Sequence, residues 1–307
     1  MAVNIVVVES FKQSLDRAKS IYDNEPKANA SSRVTYLQLI DDITIGSAFD
    51  VCIIATASPP RRKVIESLLE RCKIKHLIIE KVLFQTAKDH EDVQAMFIQS
   101  GVNAYVHLQW CAIPMYKYMK DHIKGPVNLH IHGQGWGLCC NSIHLVALAS
   151  YLNDSQDVRI DGSGLKPGYQ ESKRKGFVEV FGTLKGEVKS KHGKADFTLV
   201  CTDGPLTEGR TLHIWNDTVK MYWTEQTGSL FSSFAASDWK WERREFPFPF
   251  VSQWTNKLVK QLLETGTSDL PLYADVYQMS ILLNNLYISH LADAGNADAQ
   301  EGVCPIT

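Results

Sequence analysis

Neither G-x-G-x-x-G nor G-x-x-x-x-G-K-[ST] occurs anywhere in the 307 residues, so the two commonest glycine-built cradles for phosphate are excluded. No G-x-S-x-G elbow is present, which removes the usual signature of an exposed nucleophilic serine. No apolar run approaches the roughly 18 residues that a membrane helix needs. The N-terminus lacks the charged stretch, apolar core and cleavage site of a secretory leader. The formal net charge is only −2, which provides no electrostatic drive toward nucleic acid or an anionic membrane. The basic cluster Lys173-Arg174-Lys175 reads as a solvated loop. The seven cysteines are odd in number and have no C-x-x-C spacing. Free thiols in a reducing cytoplasm are expected rather than a disulfide framework.

What remains is an ordinary globular composition, 44% apolar and 21% charged, long enough for about two domains. Residues 4–8, Asn-Ile-Val-Val-Val, read as a buried parallel strand. Leu15, Ala18, Ile21 and Tyr22 then recur at helical spacing. A short strand near Val34–Leu37, a second buried strand at Val51–Ala55 and a third at Leu77–Ile79 follow. Ser58-Pro59-Pro60 breaks the second, and residues 61–71 are helical with Val64, Ile65, Leu68 and Leu69 on one face. A helix around 89–99, a strand at Asn103–Leu108 and a helix at Met115–Ile123 complete the run. Strands alternating with helices of about a dozen residues predict βαβ units and a parallel sheet.

From about residue 124 the pattern changes. Period-two alternation marks Val127–His132, Phe177–Phe181, Phe197–Cys201, Leu212–Trp215 and Val219–Trp223. Turns are expected at Asp161-Gly162-Ser163-Gly164, Asp203-Gly204-Pro205 and Asn216-Asp217. This predicts a mostly antiparallel sheet, covered by helices at about 142–152, 252–264 and 272–291. The tail at 292–302 is expected to be exposed. The division expected is 1–123 for a nucleotide-binding unit and 124–307 for an antiparallel α+β unit serving substrate binding and oligomerisation.

Chemistry concentrates at two places. The strand at 77–79 delivers Glu80 and Lys81 to its carboxyl end, where open α/β sheets bind ligands. A lysine desolvated there, or set beside a carboxylate, can act as acid or base. His144 follows Asn141-Ser142, either of which could cap a helix and place His144 in its first turn. A helix N-terminus favours a neutral imidazole. Trp136, among Gly133, Gly135 and Gly137, either stacks on a sugar face or is buried in a tight turn. His130-x-His132, Cys139, Cys140 and His144 could together hold zinc, although adjacent cysteines chelate poorly, so no metal is expected. Trp239-Lys240-Trp241 and Arg243-Arg244 either cover a sugar pocket or pack at a subunit interface.

In a dinucleotide-binding sheet the second strand ends in an acidic residue that takes the ribose hydroxyl, and Glu9 ends the first strand here. The chain therefore reads as a Rossmann-like sheet without its first strand, glycine turn and first helix, through truncation, a late start codon or nature. The segment Asp50–Ala57, Ile79-Glu80-Lys81, Gly137–His144 and the closing Cys304-Pro305-Ile306-Thr307 resemble, in order and spacing, the glucose–fructose oxidoreductase / inositol dehydrogenase (Gfo/Idh/MocA) family. The branch they resemble most acts in bacterial surface-sugar pathways that make nonulosonic acids. Val82 replaces the proline of the family's Glu-Lys-Pro element. Cys140 and Ala147 stand where many members have aspartate, and Trp110 and Cys111 where the branch has basic residues.

The resemblance implies an oxidoreductase using NAD or NADP and transferring hydride to or from a sugar or nucleotide sugar. It implies Lys81 and His144 as catalytic residues, Glu9, Thr56, Ser58, Pro59, Glu80 and Lys81 at the cofactor, and Trp136, Asn141 and His144 at the substrate. A homo-oligomer through the second sheet is also implied. The alternative is a non-catalytic relative that keeps the fold as a sugar-binding or assembly module.

Overall fold

The computed structural model describes residues 2–25, 31–204, 209–247 and 252–307. Through residue 122 the alternation of short apolar runs and helices yields β1 (Asn4–Val8), α1 (Lys12–Asn24), β2 (Arg33–Leu37), β3 (Ala48–Ile54), α2 (Ser58–Arg71), β4 (Lys73–Ile79), α3 (Ala87–Ser100), β5 (Asn103–Val106) and α4 (Pro114–His122). Pro59 and Pro60 lie in the first turn of α2, where a missing N–H costs nothing, so the residues that stop the strand also start the helix. Thr86 caps α3 by accepting the Asp89 N–H at 3.1 Å, and Gly101 ends it at φ 67°. The central β4 is parallel to both β3 and β5, and its last four residues are buried.

The first strand departs from expectation. β1 is parallel to β2, but among the described residues the two pair only with each other. Ile5 and Val6 are 40% and 37% exposed, and α1 buries none of its residues. In the other parallel sheet β3 leaves Ile53 44% exposed. Strands of a parallel sheet become fully buried only when both edges are paired and both faces covered. Among the described residues neither β1 nor β3 has a second partner strand.

The second half adds β6 (Asn128–Gln134), α5 (Leu138–Leu152), β7 (Val158–Leu165), β8 (Gln170–Glu171), β9 (Val178–Glu179), β10 (Gly182–Ser190), β11 (Gly193–Thr202), β12 (Thr211–Trp215), β13 (Val219–Thr224), β14 (Ser229–Phe234) and β15 (Trp241–Glu245). The helices α6 (Ser252–Thr265), α7 (Tyr273–Asp293) and α8 (Ala297–Gln300) follow. Eight strands form one sheet in the order β15-β14-β13-β12-β6-β11-β10-β7, antiparallel throughout except for β6 beside β11. The fold is thus a Rossmann-like parallel layer joined to a mostly antiparallel sheet with helices, as the alternation patterns predict.

Three local expectations need correction. Asp161-Gly162-Ser163-Gly164 is not a turn but the middle of β7. A Cβ at Gly162 would lie 2.9 Å from Leu286 of α7, and one at Gly164 would lie 2.9 Å from the Thr183 carbonyl oxygen, so these glycines serve close packing. α6 does not cover the antiparallel sheet. Its Leu258 and Leu262 pack with Ile78 and Tyr105 on the parallel one, while α5 and α7 back the antiparallel layer. The 292–302 tail is exposed only in part, with Ala292 and Ala294 half-buried and Asn296 and Ala299 buried, and the residues after it turn inward, with Cys304 and Ile306 buried.

The loop after β4 is held from behind by a buried histidine. His90 lies 3.3 Å from Tyr273 Oη and edge-on to Phe84, and the Asn284 amide donates to the Phe84 carbonyl at 2.8 Å. Burial pushes His90 down to about 3. The folded state therefore refuses a proton that the unfolded chain accepts below about 6.5. This contribution to stability is present above that value and is lost as pH falls toward 3. The penalty of His90→Leu, taken from urea midpoints, is expected to shrink by about 2 kcal/mol between pH 6.5 and 4.5. A penalty that stays constant across that interval would refute the assignment.

Candidate functional site

Three adjacent parallel strands run out into polar groups at one edge. Thr56 follows β3, Glu80 and Lys81 follow β4, and His107 follows β5. Thr56 Oγ1 and His107 Nε2 are buried without hydrogen-bond partners. Buried polar atoms are nearly always paired, so these two, at the carboxyl ends of parallel strands, have hydrogen-bonding capacity left for a ligand or a water. His107 Nδ1 pairs with the Glu80 carboxylate, which fixes the carboxylate beside Lys81.

Arg61 of α2 organises this edge from below. Its guanidinium donates to the carbonyls of Thr56, Val82 and Leu83, tying the loops after β3 and β4 together. The side chain is 1% exposed, and burial lowers it to about 10, with the Glu80 charge acting in the opposite direction, so it remains a cation at neutral pH. The Lys81–Val82 peptide bond within this staple is cis.

Lys81 reaches across to the antiparallel layer, where Nζ donates to the Cys140 carbonyl at 3.0 Å in the first turn of α5. That helix does not start at Asn141 or Ser142. It begins at Leu138 with Gly137 as cap at φ 77°, where a Cβ would stand 3.0 Å from Cys140 Sγ. Its open N–H groups are taken by a distant carboxylate. Glu179 of β9 accepts from the Cys139 N–H at 2.8 Å and the Cys140 N–H at 3.4 Å. Burial raises Glu179 above the usual carboxylate range, opposed by these N–H donors and by the nearby Lys81 ammonium.

His144 is the seventh residue of α5, one turn further in than expected. Its imidazole is held well below its ordinary value, first by burial and then by the positive charges of Lys81, Arg210 and His107. The neutral ring is thus a product of burial and neighbouring cations rather than of the helix terminus. Lys81 and His144 occupy one electrostatic neighbourhood. Arg210 joins them, held by Glu225 through two side-chain hydrogen bonds of 2.9 and 2.8 Å.

The remaining sequence candidates divide. Glu9 is half-buried at the end of β1 and accepts the Phe11 N–H at 2.9 Å. Pro59 is exposed and Thr56 half-buried. Ser58 is turned inward, 2% exposed, with its hydroxyl spent on the Ile306 carbonyl at 3.1 Å. Trp136 is buried and donates to the Val200 carbonyl at 2.9 Å, so it offers no face for stacking. Asn141 spends its amide on the carbonyls of Trp136 and Gly137 at 2.7 and 3.2 Å. The Trp239–Arg244 segment ends in the edge strand β15, with Arg244 on Tyr118 at 3.1 Å.

The possible zinc ligands are not gathered. His130 lies in β6 on the face of the sheet turned away from α5, and burial pushes the Cys140 thiol up to about 11. Among the described residues no three His, Cys, Asp or Glu side chains form a metal-holding group. Sequence reasoning missed Arg61, His107, Glu179 and Arg210. Only His107 left a local signal, as a polar residue near the end of the strand expected at Asn103–Leu108, which the structure ends at Val106.

No protein-family model matches the chain, and no curated protein matches it. Solved structures share its fold. The UDP-N-acetylglucosamine 3-dehydrogenase GnnA from Acidithiobacillus ferrooxidans aligns with a TM-score of 0.63 at 11% identity, over 98% of this chain and 100% of that one. An oxidoreductase from Agrobacterium radiobacter, solved with NAD+, L-tartaric acid and magnesium, aligns at 0.65 and 12% identity over 96% of each chain. A super-repressor mutant of Gal80p from Saccharomyces cerevisiae aligns at 0.67 and 13% identity, also over 96% of each. At these identities the likeness is one of fold, and it agrees with the two-layer architecture that the Gfo/Idh/MocA resemblance implies.

Proposed function

We propose that the chain is an NAD- or NADP-dependent oxidoreductase acting on a hydroxyl or carbonyl of a sugar or nucleotide sugar. The observation that carries this reading is the convergence of Lys81, from the carboxyl end of β4, and His144, from α5, in one charged neighbourhood. GnnA and the NAD+-bound oxidoreductase, which share the fold, support the reaction class. In this reading residues 1–123 bind the nucleotide, 124–307 bind the substrate, and the chain works in the cytoplasm, as its seven free cysteines favour. No helix among the described residues is long and apolar enough to cross a membrane. Within the same reading, Glu80-Lys81 and the closing Cys304–Thr307 favour a sugar of the bacterial surface (nonulosonic acid) pathways as substrate.

The residues present fit the nicotinamide end of a dinucleotide. Thr56, Pro59, Glu80 and Lys81 would line it, with the orphaned Thr56 Oγ1 available for a hydrogen bond, and Glu9 would take the ribose hydroxyls at the far end. When bound, the nicotinamide supplies or accepts the hydride. The Lys81 ammonium would hold the reacting oxygen and give or take its proton at Nζ. The neutral His144 ring would orient the substrate by a hydrogen bond at a ring nitrogen. Glu80, paired with His107, would hold its carboxylate in place next to Lys81.

A second reading has its own support. With no G-x-G-x-x-G turn in the sequence, and with β1 and β3 each paired on one edge only among the described residues, a helix N-terminus built to cradle a pyrophosphate is missing from them. A non-catalytic sugar-binding or assembly module, for which the Gal80p likeness offers a precedent of fold, is then favoured. Titrating NADH and NADPH into the purified protein and following nicotinamide fluorescence separates the two. Saturable binding supports the enzyme, and flat titrations with both remove it.

A homo-oligomer belongs to the first reading. The open face of the eight-stranded sheet carries Trp215, Tyr222, Phe231 and Trp241 around a shallow cleft of about 590 Å³. A second copy packing on that face would cover them. Light scattering is expected to give at least twice the mass of the 34.5 kDa chain, and a strict monomer would contradict this.

A further inference from the structure

The open face of the eight-stranded sheet carries a pair of imidazoles that the proposed chemistry does not use. β6 and β12 run antiparallel, and their register sets His130 directly opposite His213. Directly opposed residues of an antiparallel pair have Cβ atoms only about 4.5–5.5 Å apart and point to the same side. The flanking residues Leu129, Ile131, Leu212 and Ile214 are all buried in the core, so both histidines stand on the outer face. His130 is half-buried and His213 exposed. Thr198 stands beside His130 on β11, and the Tyr222 ring meets His213 edge-on at 4.6 Å on β13. His132, two residues along β6, faces Thr211 rather than a second histidine.

We propose that His130 and His213 form a two-imidazole site for a divalent transition-metal ion of the borderline class, Cu2+, Ni2+ or Zn2+. Imidazole is a preferred ligand for all three, and the unprotonated ring is the ligating form. Antiparallel backbone hydrogen bonds fix the spacing before any metal arrives. Two protein ligands leave the other coordination positions to water. No third His, Cys, Asp or Glu side chain completes the site among the described residues. This site is separate from the Lys81–His144 edge, but it lies on the sheet face proposed above for a second copy, whose cleft His213 also lines, so the titration is run with the oligomeric state measured alongside.

The test is a Cu2+ titration of the whole protein at pH 7.5, read by calorimetry and by electron paramagnetic resonance. One equivalent is expected to bind with hyperfine splitting from two nitrogens. His130→Ala and His213→Ala are each expected to weaken this site by about tenfold or more, whereas His132→Ala leaves it unchanged. Because both side chains lie on the outer face, thermal melts of the variants should match wild type, which guards against misreading an unfolded sample. Wild-type affinity in the His130→Ala/His213→Ala double variant, or a one-nitrogen spectrum in the wild type, overturns the proposal.

Discussion

Replacing Lys81 by alanine is expected to lower turnover of a sugar or nucleotide-sugar substrate by about 10²–10⁴-fold, the range that a positioned acid–base group contributes. Among the described residues its Nζ has one hydrogen-bond partner, the Cys140 carbonyl at 3.0 Å, and the side chain is half-buried rather than part of the core. Folding stability should therefore move by less than about 1 kcal/mol. Loss of turnover without loss of stability distinguishes a group that acts on substrate from one that merely packs. Unchanged turnover in Lys81→Ala would end the proposed role. The outcome also bears on His144, because removing the ammonium takes away one of the charges that depress its imidazole. In the variant the His144 titration, followed by NMR, is expected to shift upward.

Arg61→Met is expected to destabilise the protein by about 3–5 kcal/mol, the usual result of removing one partner from a buried charged cluster. The guanidinium satisfies carbonyls of Thr56, Val82 and Leu83, and methionine satisfies none of them. Each carbonyl left without a donor costs about 1–3 kcal/mol, partly offset because a buried cation no longer has to be desolvated. Glu80 would also lose a neighbouring positive charge, since the Glu80 charge is felt at Arg61. Urea unfolding measures the effect through its midpoint, and a change under about 0.5 kcal/mol would show that the staple carries no weight. Arg61→Lys should recover only part of the loss, because one ammonium on a flexible stem cannot reproduce a planar fork spread over three oxygens.

Much of the architecture was legible from period and composition. The strands at 51–55 and 77–79 and the helices at 61–71, 89–99 and 272–291 are set by local patterns, and each forms close to its expected bounds. Lys81 was legible for the same reason, since a polar residue that ends an apolar strand must emerge at the sheet edge. Failures fall where the deciding partner is far away in sequence. The Asp161–Gly164 run has the composition of a turn, yet Leu286 and Thr183 press on it and keep it in β7. The start of α5 moved to Leu138 because Glu179, some forty residues downstream, supplies the cap that Asn141 or Ser142 was expected to provide. β1 has the apolar texture of a buried strand, but burial depends on what pairs with it, and among the described residues β2 alone does.

Chemical identity and periodicity are written along the chain. They place an ammonium after β4, an imidazole in a helix of the second half and a parallel layer ahead of an antiparallel one. Electrostatic character is not written there. His144 is held neutral because folding partly buries its ring and then brings Lys81, Arg210 and His107 near it from three other places in the chain. Arg61 serves as a staple because three carbonyls from two loops close around it. Charge and solvation are sums over neighbours in space, and folding chooses those neighbours.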